Sequence, residues 1–178
     1  MHQFEAFAKI PRFFRDVTIS EKIDGTNAQV FVSEDGTVMA GSRSRWITPE
    51  SDNFGFAAWV AEHENELREL GPGRHFGEWY GRGIQRGYGL QDRRFALFNS
   101  HRWAEKRPAC CSVVPVLATR TMGADVVSEC LETLRSGGSL AAPGFMRPEG
   151  IVIYHHASGG MFKVLLENDE LPKGVRDS

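Results

Sequence analysis

The sequence predicts an α+β domain in which short antiparallel strands outnumber two amphipathic helices. Several segments alternate apolar and polar residues with the two-residue period of half-buried strands, and the first are residues 17–20, 28–32 and 37–40. Asp35-Gly36, between two of these segments, is typical of a tight hairpin turn. Two longer segments repeat apolar residues at helical spacing instead. The 178 residues can bury a core without disulfides, and we expect residues 1–178 to form one domain with no appended C-terminal domain.

Composition and charge say more about where the protein works than about what it does. The 21 Lys and Arg residues nearly balance the 23 Asp and Glu residues, which argues against a polybasic binder but allows a local basic groove. The three cysteines lack Cys-x-x-Cys spacing, so neither a disulfide framework nor a zinc ribbon is indicated. No apolar run has the length of a signal peptide core or of a membrane span. We therefore expect an intracellular, cytoplasmic protein without membrane association.

The first part of the chain predicts a packed N-terminal segment, a hairpin and a helix. Residues 1–15 carry five large apolar side chains, and we expect them to pack onto the core. The hairpin returns residues 41–46 toward the first strand. Residues 52–70 follow as one packing helix, which Asp52 or Asn53 can cap.

The rest of the chain predicts five more strands and a second helix. The strands are expected at residues 74–81, 94–99, 113–117, 151–154 and 161–165. The helix is expected at residues 124–135, because its apolar residues share one face, and a Gly-Gly pair follows it.

The chemistry is predicted to centre on Lys22, in Lys22-Ile23-Asp24-Gly25-Thr26-Asn27, where the first strand pattern ends. A lysine attacks phosphorus only as a neutral amine, and an ordinary lysine pKa of about 10.4 leaves almost none neutral at pH 7. Desolvation and neighbouring cations favour the neutral amine, and Arg43 and Arg45 lie one hairpin later. Alone, so short a motif also fits a solvated lysine at a strand end.

This hexapeptide resembles motif I of the covalent nucleotidyltransferases, which include ATP-dependent RNA and DNA ligases and capping enzymes. Its Thr-Asn ending is most similar to the RNA ligases. Other segments match the superfamily's motifs in order: Ser42-Arg43, Phe76-Gly77-Glu78, Phe95-Ala96-Leu97-Phe98, Pro148-Glu149-Gly150-Ile151-Val152 and, in part, the stretch around Lys163. The resemblance covers nearly the whole chain. It implies a minimal adenylyltransferase core, with two antiparallel sheets and flanking helices around a nucleotide cleft.

The resemblance implies roles for the residues of motif I. Lys22 would be the nucleophile that becomes adenylylated. Glu21, Asp24, Gly25 and Asn27 would complete the nucleotide-binding turn around it.

The middle motifs would hold the nucleotide. By resemblance, Arg43 contacts the adenylate phosphate or the incoming 5′-phosphate, a task that suits a guanidinium group. Glu78 accepts hydrogen bonds from the ribose hydroxyls. Phe98 stacks on adenine, with Phe95 as the alternative aromatic residue.

The last two motifs would act on the phosphates. Glu149 works with Mg²⁺ or Mn²⁺ through its hydration shell, and Lys163 contacts the α-phosphate as pyrophosphate leaves. The family usually has two lysines one residue apart here, whereas Met161 and Leu165 occupy the places where a second lysine could sit. Which family lysine Lys163 represents therefore stays open.

The function implied is an ATP-dependent RNA ligase, as used in RNA repair, that joins 5′-phosphate and 3′-hydroxyl ends through lysyl-AMP and RNA-adenylate intermediates. ATP and Mg²⁺ or Mn²⁺ are the expected cofactors, and RNA, possibly DNA, is the expected partner. A partner protein could supply the second domain that ligases commonly carry. The alternatives are a minimal ATP-dependent DNA ligase, a guanylyl-transferring capping enzyme, and a nucleotide or nucleic-acid end-binding module that has lost turnover.

Overall fold

Ten strands in two sheets form the framework of the structure, a computed structural model that describes residues 3–170. The strands are β1 (Asp16–Lys22), β2 (Thr26–Val32), β3 (Val38–Ser42), β4 (Trp46–Ile47), β5 (Gly73–Gly81), β6 (Arg93–Leu97), β7 (Cys111–Val113), β8 (Val116–Thr121), β9 (Gly150–His155) and β10 (Gly160–Leu165). The helices are α1 (Phe56–Glu62), α2 (Glu64–Leu67), α3 (Ser100–Trp103) and α4 (Val126–Gly137), and a 3-10 turn (Arg68–Leu70) follows α2.

Strand order confirms the predicted α+β class. One sheet has the order β10-β9-β1-β8 and is antiparallel throughout. The other has the order β4-β3-β2-β5-β6-β7. Its β6–β7 pair is parallel, so the expectation of two wholly antiparallel sheets is wrong at this pair. The chain leaves β6 through α3 and crosses back, which is the kind of connection that parallel neighbours require.

Each sheet buries one face under helices. The six-stranded sheet packs with α1 and α2 around a core that includes Val30, Phe56, Trp79 and Phe95. The four-stranded sheet packs with α4. A third, smaller cluster includes Ile23, between β1 and β2, and so joins the two sheets beside the turn that follows Lys22.

Three local predictions are wrong, and each has a physical reason. The helix expected at residues 52–70 breaks at His63, whose ring hydrogen-bonds to the Trp59 carbonyl at 2.9 Å and stacks on the Trp59 ring. The strand expected at residues 113–117 divides into β7 and β8, in different sheets, and Pro115 between them has no N–H for a ladder.

The N-terminal segment is the third case. Phe4 and Phe7 are each 90% exposed, because α1, α2 and α4 already cover the buried sheet faces. The end of the segment contacts the domain: His155 Nε2 donates to the Phe13 carbonyl at 2.8 Å, and Met122 N donates to the Arg15 carbonyl at 3.0 Å. In residues 3–170, no helix is long and apolar enough to cross a membrane.

Candidate active site

Lys22 is the last residue of β1, directly opposite Gly150 of β9. This pairing brings its ammonium group into an ion pair with Glu149, the residue just before Gly150. Both side chains are partly exposed, at 24% and 16% respectively. The predicted nucleophile and the predicted metal-site acid are therefore in contact, at a position that solvent reaches.

Glu21 lies on the opposite face of β1 and is 1% exposed. Its carboxylate accepts hydrogen bonds from Ser139 Oγ at 2.6 Å, from Leu140 N at 2.8 Å and from Ala141 N at 2.9 Å. Burial raises the pKa of this carboxyl, against the lowering effect of those bonds. The structure does not bring this side chain together with Lys22. It connects the Lys22 strand to the segment after α4.

The turn after Lys22 is held by residues that sequence reasoning did not assign. Asp24 N donates to the Tyr88 hydroxyl at 2.7 Å, and Arg86 Nε donates to Asp24 Oδ2 at 2.9 Å. Arg86 Nη1 also donates to the carbonyls of Arg147, at 2.9 Å, and Pro148, at 3.2 Å. Arg86 thus links the Lys22 turn to the residues just before Glu149. The one available signal was the glycine-rich stretch at residues 81–89, which contains both residues.

Glu78 of β5 joins the turn to the other sheet. It is 8% exposed and accepts from Gly25 N at 3.1 Å and from Asn27 Nδ2 at 2.9 Å. Burial raises the pKa of its carboxyl to about 7, against the opposing charge of Lys22 and the hydrogen bonds of Asn27 and Gly25. Gly25 is required at this close approach, because a Cβ there would lie 2.4 Å from the Trp79 carbonyl oxygen.

The remaining predicted residues are exposed. Phe98 follows β6, is 41% exposed and donates its N–H to the Phe76 carbonyl, which extends the ladder and places it on the Glu78 face. Lys163 is exposed on β10 opposite Val152, on the Lys22 face. Arg43 is exposed in the β3–β4 loop, whereas Arg45 Nη1, from the same loop, donates at 3.0 Å to Ser51 Oγ in the segment after β4.

Comparison with known proteins identifies the family. The family model described as RNA ligase matches residues 15–165, most of the chain. The chain belongs to the RNA ligase family. A comparison with curated protein sequences gives no match.

Solved structures of RNA ligase share this fold. A lysine-to-alanine mutant of Naegleria gruberi RNA ligase with ATP and Mn matches with a TM-score of 0.63 and 18% identity, over 88% of this chain and 52% of that one. An arginine-to-alanine mutant with ATP and Mn gives 0.64 and 18%, over 87% and 51%. The Naegleria gruberi ligase with PPi gives 0.58 and 18%, over 85% and 50%. The chain therefore spans about half the length of the solved RNA ligases that it matches.

The carboxylate of Glu149 fits a water-mediated divalent ion. In residues 3–170, no group of three or more His, Cys, Asp or Glu side chains lies close enough to hold a metal ion. Magnesium usually keeps several waters and binds through one or two carboxylates plus substrate phosphates. Glu149, partly exposed beside Lys22, has the oxygen donors that such an ion takes.

The raised pKa of the Glu78 carboxyl predicts how the stability of the chain depends on pH. Its pKa is about 7 in the folded chain against an ordinary value of 4.5, so the folded state binds more protons between these pH values. Stability that is present below pH 4.5 is therefore lost as pH rises through 7, by up to about 3 kcal/mol. Glu78→Gln should remove this loss and be more stable than the wild type at pH 8.

Urea unfolding at pH 5 and pH 8 measures the effect. Glu34→Gln, at an exposed hairpin position, is the matched control and should keep the wild-type pH dependence. An equal fall in stability for the Glu78→Gln and wild-type chains would contradict the assignment.

Proposed function

We propose that this chain is the adenylyltransferase part of an ATP-dependent RNA ligase, which joins 5′-phosphate and 3′-hydroxyl ends through lysyl-AMP and RNA-adenylate intermediates. The observation that carries the proposal is the contact of Lys22 with Glu149 at the end of β1, next to Glu78 across the Gly25 turn. One residue suited to attack phosphorus, one suited to a hydrated metal ion and one suited to ribose hydroxyls thus surround one turn.

The first step is attack of Lys22 Nζ on the α-phosphorus of ATP. A P–N bond forms, the bond to the bridging oxygen breaks, and pyrophosphate leaves. Lys22 attacks as a neutral amine, so it must first leave Glu149 and pass its proton to water. Lys163, on the same sheet face, neutralises charge on the phosphates. A divalent ion bound through water at Glu149 would supply further positive charge there.

The nucleoside is held by the six-stranded sheet. Glu78, once ionised, accepts hydrogen bonds from the ribose hydroxyls, which favours ATP binding above the carboxyl's pKa of about 7. Phe98, exposed on the same face, stacks on adenine. Glu21 acts at a distance, because its buried hydrogen bonds position β1.

The second and third steps transfer AMP and then displace it. The lysyl P–N bond breaks as the RNA 5′-phosphate attacks, which forms the RNA-adenylate. The 3′-hydroxyl then attacks that 5′-phosphorus, the phosphodiester forms and AMP leaves. Arg43, exposed in the β3–β4 loop, binds the incoming 5′-phosphate. We also propose that a partner protein supplies a further domain that contacts RNA.

One observation favours the alternative of an end-binding module without turnover. Leu165 lies in register with Gly150, which lies opposite Lys22, so an apolar side chain stands two strands from Lys22 at a place where the family can have a second lysine. A chain that binds ATP and RNA ends but forms no covalent adduct would support this alternative.

The substrate class is tested with matched nicked duplexes. We expect sealing to require ribonucleotides on the 3′-hydroxyl side of the nick, because an enzyme selective for RNA must detect the 2′-hydroxyl or the A-form geometry. Sealing should also fall steeply with salt, because basic residues hold phosphates. All-RNA, all-DNA and mixed nicks are compared across salt concentrations. Equal sealing of the all-DNA and RNA-containing nicks would favour the DNA ligase alternative.

A further inference from the structure

A row of large side chains continues along the Glu78 face of the six-stranded sheet, away from Lys22. Strand pairing places these residues on one face, since directly opposed residues share a face and residues two apart along a strand do so as well. We name them the aromatic platform: Gln29, Phe31, Met39, Trp46, Arg74 and Phe76. Three of its members are large hydrophobic side chains that are substantially exposed, namely Met39 at 38%, Trp46 at 41% and Phe76 at 53%.

Arg74 orders the centre of the platform. Its guanidinium carbon lies 5.3 Å from the Phe31 ring centroid and 5.1 Å from the Trp46 ring centroid, and the two rings lie 5.9 Å apart. Arg74 Nη1 also donates to Gln29 Oε1 at 3.1 Å. These contacts hold two aromatic rings and one cation in place before any ligand arrives, which lowers the entropic cost of binding.

The platform is continuous with the proposed nucleotide site. Phe76 pairs with Phe98, the residue proposed to stack on adenine, and lies two residues along β5 from Glu78. Arg74 lies four residues from Glu78, or about 13 Å along the strand. The platform therefore begins where the bound nucleotide would end and extends outward from it.

We propose that the aromatic platform binds unpaired bases of the RNA substrate by stacking. This inference rests on the proposed RNA-joining function and deepens it, because it assigns where RNA lies beyond the reacting ends. Aromatic rings and an arginine plane are the groups on which unpaired RNA bases stack. None of the six platform residues is acidic. Arg43, exposed in the adjoining β3–β4 loop, can bind phosphates of the RNA. A cation at the centre of the face suits an anionic strand better than an apolar protein surface.

The test is RNA binding by Trp46→Ala and Arg74→Gln, measured by fluorescence anisotropy without ATP. The probe is a labelled, 5′-phosphorylated single-stranded RNA of about twelve nucleotides, with an abasic strand of equal length as the comparison. We expect Trp46→Ala to weaken RNA binding about tenfold and to leave binding of the abasic strand unchanged, because only stacking is lost. The slope of log affinity against log salt should stay unchanged in Trp46→Ala and become less steep in Arg74→Gln.

Phe162→Ala is the matched control, since Phe162 is 57% exposed on β10 of the other sheet, and it should bind both probes as the wild type does. Formation of the Lys22 adduct needs no RNA, so unchanged adduct formation in Trp46→Ala shows that the chain is folded. Wild-type RNA affinity in both platform variants would overturn the proposal even if sealing occurs. Equal loss for RNA and abasic strands would overturn stacking. A self-associating wild type whose association Trp46→Ala abolishes would identify the platform as a protein interface and also overturn it.

A failure of the proposed function gives a different result. No adduct forms at Lys22 in that case, whatever the RNA affinity of the platform variants. The two failures are therefore distinguishable.

Discussion

Lys22→Ala should lower sealing of nicked RNA from ATP by roughly 10⁴-fold or more, because loss of the proposed covalent nucleophile removes the first step altogether. Sealing of an RNA that already carries AMP on its 5′-phosphate should continue, since the third step needs no lysyl-AMP. The measurement is the yield of joined strand from each substrate. A variant that seals the pre-adenylated RNA but not the RNA supplied with ATP has lost the nucleophile and kept its fold.

Stability should change little in this variant. Lys22 is partly exposed, and water can reach the Glu149 carboxylate that the substitution leaves without its lysine. Lys9→Ala, at an exposed position in the N-terminal segment, should seal both substrates as the wild type does. Sealing from ATP that survives in Lys22→Ala would contradict the mechanism.

Glu21→Ala should destabilise the chain by about 3–5 kcal/mol, because each buried donor left without an acceptor costs about 1–3 kcal/mol. The substitution leaves Ser139 Oγ and the N–H groups of Leu140 and Ala141 without their acceptor in a buried region. The thermal midpoint should fall by roughly 10 °C for a chain of this size. Urea and thermal unfolding measure both quantities.

Glu34→Ala is the matched control for this carboxylate, because Glu34 is exposed in the β2–β3 hairpin, and it should change stability by less than about 0.5 kcal/mol. A Glu21→Ala chain as stable as Glu34→Ala would show that the buried hydrogen bonds do not hold β1 to the segment after α4. Adduct formation below the unfolding temperature then reports whether Glu21 also positions Lys22.

Local pattern was enough to place the strands that carry the site. The two-residue period located β1, β2, β5 and β9 because one face of each is buried, and the break after Lys22 located the turn. The α4 helix appeared near its predicted position for the same reason, as its buried residues share one face. These features depend on neighbours close in sequence, which a single sequence shows directly.

Contacts between residues far apart in the sequence could not be predicted from local patterns. Arg86 and Asp24 are 62 residues apart in the chain, and Glu21 and Ser139 are 118 apart. No periodicity links such partners, so the buried role of Glu21 and the bridging role of Arg86 became visible only in the fold. The prediction that the N-terminal segment packs onto the core was wrong for a related reason. Its apolar side chains indicate burial, but whether a sheet face is free to bury them depends on where the helices pack.

The central claim, that Lys22 becomes adenylylated, is tested most directly by incubating the chain with divalent metal and ATP labelled at the α position. The label should become covalently bound, stable to alkali and labile to acid, and mass spectrometry should locate it on the peptide that contains Lys22. GTP labelled in the same way should give little or no adduct. An adduct on another residue, an undiminished adduct in Lys22→Ala, or no adduct in the wild-type chain would contradict the account.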